Sequence, residues 1–171
     1  MEFNLNGSIK NDDRAFDIEN RKLTRRIRYN LLEPKIMSEF NKRIIEEFRA
    51  NDGHVGGYFA NNTLLLLTTI GAKSGLERVN PLVTFEDRDR LVIVASKGGA
   101  PSNPHWYHNL LNNPVVTVEY GVEQFQAQAE IAEEPERTRL YEIMESKLSA
   151  FSQYKEKAGR VIPVVTLTRL S

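Results

Sequence analysis

Two apolar runs, Leu64 to Ile70 and Val79 to Phe85, are joined by little more than Gly71-Ala72-Lys73-Ser74-Gly75. A link that short cannot start a parallel neighbour, which needs a crossover of about a dozen residues. The two runs are therefore antiparallel partners. The same argument applies to the next link, because only Asp87-Arg88-Asp89 and its flanks precede a third strand at Leu91 to Ala95. The first run is apolar along Leu64-Leu65-Leu66-Leu67, as expected of a strand buried on both faces. Two further strands follow at Val115 to Tyr120 and Glu123 to Ile131. The second alternates: Phe125, Ala127, Ala129 and Ile131 face one way, and Gln124, Gln126, Gln128 and Glu130 the other, so one face is wet. Pro163 to Thr168 is the last strand. The reading is an α+β, mainly β chain with six antiparallel strands. Short strands with turn-rich links favour a small barrel over an open sheet.

Helical periods fill the remaining stretches. Leu23, Ile27 and Leu31 recur every four residues, and after Pro34 so do Ile36, Phe40, Ile44 and Phe48, ended by Asn51-Asp52-Gly53. Asn103 is the expected N-cap of a short helix from Pro104 through His105 to Leu110. Pro135 opens a C-terminal helix whose apolar face runs Leu140, Ile143, Met144, Leu148, Phe151 and Tyr154, with a break near Ser149 and Gly159 as its stop. Residues 1–15 read as a mobile tail. Residues 16–171 read as one domain, with helices over 16–50 and the sheet over 63–171.

Composition narrows the function classes. The 171 residues hold 23 Lys+Arg against 23 Asp+Glu and no cysteine. Disulfides, thiolate clusters and thiol nucleophiles are excluded. The absence fits a reducing compartment, so the cytoplasm is the expected location. The longest aliphatic run falls far short of the roughly 20 residues of a membrane span. Balanced charge argues against a basic nucleic-acid binder. One helix face, Arg21 to Arg28, concentrates basic residues; it is either solvated or a contact for an anionic membrane surface or a partner.

Three segments could carry chemistry. In Gly71-Ala72-Lys73-Ser74-Gly75 plus Arg78, glycines admit a close ligand while Lys73, Ser74 and Arg78 offer charge and a hydroxyl suited to phosphate. The order is not that of a Walker loop, and the competing reading is a solvated hairpin turn. Ala95-Ser96-Lys97-Gly98-Gly99-Ala100-Pro101 lies between a strand end and a helix start, with Lys97 available to an anion. His105-Trp106-Tyr107-His108-Asn109 could stack on a planar ring, though aromatics are more often core. His105 and His108 lack a third ligand, so no metal is expected. No Gly-x-Ser-x-Gly elbow is present.

In this order the segments resemble the deazaflavin-dependent nitroreductase family. The resemblance is carried by Leu65 to Gly75, Arg78-Val79-Asn80-Pro81-Leu82, Val94 to Pro101, Asn103 to Leu110, Asn113-Pro114 and Ile162-Pro163-Val164-Val165. It implies a six-stranded split β-barrel and coenzyme F-420 as cofactor. Lys73, Ser74 and Arg78 would hold the phosphate, with Val79, Asn80 and Pro81 as a wall. Val94, Ala95, Ser96 and Lys97 would run beside the ring and tail, and His105, Trp106, Tyr107, His108 and Asn109 would cover the far side. The family commonly has arginine where Ala72 stands. Leu148, Phe151 and Tyr154 match the substrate pocket, where some members carry tyrosines; only Tyr154 keeps a hydroxyl. The implied activity is hydride transfer to a small acceptor, a quinone, an enone or a nitroaromatic, with Tyr154, Ser96 or water as proton donor. Flavin mononucleotide on the same barrel and a non-catalytic cofactor carrier are the rival readings. The chain would act as a monomer or homodimer.

Overall fold

The computed structural model describes residues 37–171. The basic stretch Arg21 to Arg28 and the expected tail lie outside them. The chain divides into two compact units, Met1–Phe40 and Asn41–Ser171. Of the first, residues 37–40 are described and are helical. The second holds the whole sheet.

Helix α1 (37–50) ends as expected, with Asp52 at φ 54° and Gly53 at φ 90° turning the chain. Gly53 is obligatory there, because a Cβ would lie 2.7 Å from the Gly121 Cα. One antiparallel sheet comes next, made of β1 (Leu64–Ile70), β2 (Glu77–Val83), β3 (Phe85–Asp87), β4 (Arg90–Val94), β5 (Val115–Tyr120), β6 (Glu123–Ile131) and β7 (Val164–Arg169). Their order across the sheet is β2-β1-β5-β6-β7-β4-β3. Helices α2 (His105–Asn112), α3 (Glu136–Lys147) and α4 (Ala150–Ala158) are inserted between strands.

Among the described residues the strands number seven rather than the six expected. The run read as Val79 to Phe85 is divided at Thr84, where the chain leaves β1 and takes up β4. The Thr84 N–H donates to the Thr63 carbonyl at 2.9 Å, and its hydroxyl donates to the Val92 carbonyl at 2.9 Å. The two edge strands of the sheet are thus consecutive in the chain, and the sheet curls upon itself. Pro81 falls on edge strand β2, where a missing N–H is tolerated.

Curling gives each strand an inner and an outer face. Leu65, Leu67, Leu91, Ile93, Val116, Val118, Ala127, Ala129, Val165 and Leu167 fill the inside together with Trp106 and Leu110 of α2. Leu64 and Leu66 point outward onto Ile44 and Phe48 of α1. Val92, Val94 and Val164 point outward onto Leu140, Tyr141, Met144 and Phe151 of α3 and α4. This explains why β1 and β4 are apolar at successive positions while β6 alternates. The helix break near Ser149 is present between α3 and α4, and Gly159 stops α4 at φ 61°. The expected Asn103 cap is absent: Pro104 precedes α2 without a side-chain cap, and the Asn103 amide oxygen accepts from Arg160 instead.

A charge network ties the β3–β4 hairpin to α3. Asp87 accepts from Arg139 at 2.9 Å and from Arg90 at 3.1 Å, and Arg90 also donates to Glu136 at 2.6 Å. The Arg139 hydrogen bond, with Arg90 assisting, holds the Asp87 carboxyl down from 3.8 to about 2. A carboxyl lowered on folding adds stability above its unfolded value, and that stability is lost as pH falls through the folded one. Acid melts between pH 4 and pH 2 should therefore show a steep loss in the wild type and a shallower one in Asp87→Asn, the variant being less stable at neutral pH by about 1–2 kcal/mol.

Candidate active site

The antiparallel pairings fix the direction of every strand. Passing from β1 through β5, β6 and β7 to β4 reverses direction four times, so β1 and β4 run the same way. The turn after β1 and the loop after β4 therefore emerge at one end of the sheet, and α2 begins there. The three segments singled out in the sequence meet at this end.

The turn Gly71 to Leu76 is closed by the Gly71 N–H donating to the Leu76 carbonyl and the Gly75 N–H to the Gly71 carbonyl, both at 2.8 Å. Lys73 and Ser74 are exposed on it, and Arg78 is exposed at the start of β2. Gly71 leaves room for the Ser74 hydroxyl, which a Cβ would approach to 2.5 Å. From α2, the buried Asn109 reaches across: its Oδ1 accepts from the Ala72 N–H at 3.0 Å and its Nδ2 donates to the Thr69 hydroxyl at 3.1 Å. Asn109 thus holds the turn through its side-chain amide. Trp106 is 5% exposed and belongs to the interior core, while His105 and His108 are exposed and Tyr107 is half-buried.

Ser96 is buried at the end of β4, and Lys97 is exposed beyond it with φ 49°, a left-handed conformation rare for a side-chain-bearing residue. The Lys97 ammonium donates to the Ser102 hydroxyl at 3.1 Å. Val94 and Ala95 are buried on opposite faces of the sheet. Val79, Asn80 and Pro81 are half-buried on edge strand β2. Lys73, Arg78 and Lys97 have no carboxylate partner among the described residues, whereas Arg49, Arg90, Arg139 and Arg169 each have one.

The loop after β4 seats on α4. Gly99, at φ 76°, lies so close that a Cβ would stand 3.0 Å from the Tyr154 Cα. This contact brings Tyr154 to the same end of the molecule. Phe151 is buried, with its ring edge-on to Tyr154 at 5.3 Å, and Leu148 is half-buried in the same cluster. Burial pushes the Tyr154 hydroxyl up, and the neighbouring Tyr58 phenol adds to the effect. Tyr154 therefore stays protonated at neutral pH and can donate.

Two residues of this end escape sequence reasoning. Tyr58, in the 3-10 turn Gly57–Phe59, is 65% exposed and pairs with Tyr154; a lone tyrosine between glycine and phenylalanine carries no spacing signal. Arg160 spends its guanidinium on the loop after β4, and nothing but its place behind Gly159 marks it. A cavity of about 660 Å³ lies at the other end of β1, beside Glu47, Asp52, His54 and Tyr120, and none of the predicted residues lines it.

The family profile of the F420H(2)-dependent quinone reductases matches residues 41–169. This chain belongs to that family. It is 38% identical over 126 residues to an F420H(2)-dependent quinone reductase of Mycobacterium tuberculosis, covering 71% of this chain and 85% of the relative. A second relative from that organism is 35% identical over 103 residues, covering 60% of this chain and 87% of its own. Among solved structures, an F420-H2 dependent reductase aligns with TM-score 0.57 and 36% identity, over 61% of this chain and 92% of that one. Another, described as a domain-swapped dimer, aligns with TM-score 0.59 and 33% identity, over 78% and 98%. The family makes the chain an oxidoreductase with coenzyme F-420 as its cofactor. The resemblance read from Leu65 to Val165 is thereby borne out.

The loop seat gives a direct test of the site's framework. Gly99→Ala meets backbone as well as a strained φ, and should cost about 2 kcal/mol or more in denaturant unfolding. Gly75→Ala, at φ 67° with open space around it, should cost only about 1 kcal/mol.

Proposed function

We propose that this chain transfers a hydride from reduced coenzyme F-420 to a quinone at the end of the sheet where β1 and β4 terminate. The observation that carries the reading is the convergence there of Lys73, Arg78 and Lys97, three cations without carboxylate partners among the described residues. Such a donor set fits a phosphodiester bearing an acidic tail. When bound, the reduced cofactor supplies the hydride.

The chain's own residues supply position and a proton. Lys73, Ser74 and Arg78 hold the phosphate, and Asn109 keeps their turn in place. Val79, Asn80 and Pro81 form the wall along the open edge of β2. Val94, Ala95, Ser96 and Lys97 flank the ring and tail. His105, Tyr107 and His108 cover the far side, with Trp106 bracing them from the core. Leu148, Phe151 and Tyr154 line the acceptor side, where apolar groups exclude water and hold a flat ring against the cofactor. The quinone takes two electrons with the hydride and one proton, and the protonated Tyr154 hydroxyl donates that proton, with Ser96 as the nearby alternative. Replacement of the pocket's other tyrosine positions by Leu148 and Phe151 favours a quinone over a bulky nitroaromatic.

The unit is a curled sheet closed at Thr84, in the manner of a split barrel. A homodimer is the assembly supported by the solved relative described as domain-swapped. Among the described residues no helix is long and apolar enough to cross a membrane, and the lack of cysteine supports a cytoplasmic location.

Fluorescence titration with coenzyme F-420 and with flavin mononucleotide tests the cofactor assignment. The wild type should bind F-420 at micromolar or better affinity and in preference to the flavin, and Lys73→Ala should lose about 1.5–3 kcal/mol of that affinity. Preference for the flavin, or no binding, overturns the reading. Binding without oxidation of the reduced cofactor by any quinone leaves a carrier. Tyr154→Phe should lower quinone turnover at least about tenfold with cofactor affinity unchanged. Because the Tyr154 hydroxyl is pushed up, wild-type turnover should show no alkaline limb from it below about pH 10.

A further inference from the structure

We propose that Arg160 is a positioning residue that fixes the loop carrying Ser96 and Lys97 in register with the helix carrying Tyr154. The inference rests on the assignment of those three residues to the site. It begins with how the guanidinium is used. Its Nε donates to the Ala100 carbonyl at 3.0 Å. One terminal nitrogen donates to the carbonyls of Ala95 at 3.1 Å, Ser96 at 3.3 Å and Ser102 at 3.1 Å. The other donates to the Asn103 side-chain oxygen at 2.5 Å. No carboxylate pairs with Arg160 among the described residues. These five acceptors are all neutral, and all belong to one loop.

The acceptors lie on both legs of that loop. Ala95 and Ser96 leave β4; Ala100, Ser102 and Asn103 lead into α2. Lys97, Gly98 and Gly99 form the tip between them, with φ of 49°, 61° and 76°. Three successive left-handed residues, one of them a lysine, persist only where the surroundings over-determine them. The planar fork does this by pinning the two legs at once, which a lysine's single ammonium cannot reproduce.

The same residue is anchored from the other side. Arg160 follows Gly159, whose left-handed turn at φ 61° ends α4 and sends the chain back under the loop. The loop tip in turn touches α4 at Tyr154 and Lys157 through Gly99. Arg160 therefore spans the element that meets the cofactor and the element that meets the acceptor. Its action on the reaction passes through Lys97 and Ser96.

A double-mutant cycle reads this directly. Dissociation constants for F-420 are measured by fluorescence titration on the full chain for Arg160→Lys, Lys97→Ala and the pair, and for Arg160→Lys combined with Lys73→Ala on the separate turn. Melting curves accompany each variant. Arg160→Lys and Lys97→Ala should each weaken binding about tenfold. Their combination should be no more than about threefold weaker than the weaker single variant, because the lysine's contact is already lost when its loop is released. Arg160→Lys with Lys73→Ala should instead multiply. If Arg160→Lys does not fold, Asn103→Ala, which removes one acceptor of the fork, takes its place in the cycle with an expected loss of about threefold. Unchanged affinity in Lys97→Ala overturns the site assignment and the inference with it. A clear loss in Lys97→Ala that multiplies with Arg160→Lys overturns the inference alone, as does wild-type affinity in Arg160→Lys.

Discussion

At Thr84 the chain changes partners, and the remaining geometry follows from that exchange. Its N–H serves the β1 side and its hydroxyl serves β4, while the residue itself is only 2% exposed. A residue at such a crossing must bond in two directions inside an apolar setting, where an unmade bond is costly. Threonine supplies a second donor without adding length. Because the strands on its two sides are the edges of the sheet, the sheet must curl. The curl gives an interior for the alternating residues, and it leaves β1 and β4 ending at the same place.

That end is a scaffold rather than a set of free loops. Each loop is held from behind by a buried or half-buried fixture: Asn109 under the turn of Lys73, and Arg160 and Gly99 under the loop of Lys97. Groups held this way lose little freedom when a ligand arrives, which is how positioning lowers a barrier. Several cations elsewhere are spent on carboxylates, as at Arg49 of α1 with Glu119 and Arg169 of β7 with Glu123. A net charge of zero thus coexists with three cations, Lys73, Arg78 and Lys97, that no carboxylate pairs among the described residues.

Much of this is legible in the sequence because it follows from local rules. Turn lengths set the antiparallel order, continuous and alternating apolar patterns separate β1 from β6, and Gly159 marks the end of α4. The exceptions are places where a side chain serves a distant backbone. The division at Thr84 is invisible because Val83-Thr84-Phe85 continues one strand-like pattern. Asn103 reads as a cap and Asn109 as a ligand contact, since neither Arg160 nor the Ala72 N–H is near in sequence. Trp106 reads as either stacking surface or core, and the interior of a curled sheet needs a large plug. Motif order marks the candidate residues; it does not mark the residues that hold their loops.

The position of β7 has a consequence for how the molecule is made. β7 follows the other six described strands in the chain, yet it sits inside the sheet between β6 and β4, and Arg160 lies just ahead of it. Until that segment leaves the ribosome, β4 lacks its β7 partner, and the carbonyls of Ala95, Ala100 and Ser102 lack the Arg160 guanidinium. The nascent chain therefore holds two open strand edges, the kind of surface on which foreign strands add. Closure of the sheet and seating of the loop after β4 become a single event, because both wait on the one segment that runs from Arg160 through β7.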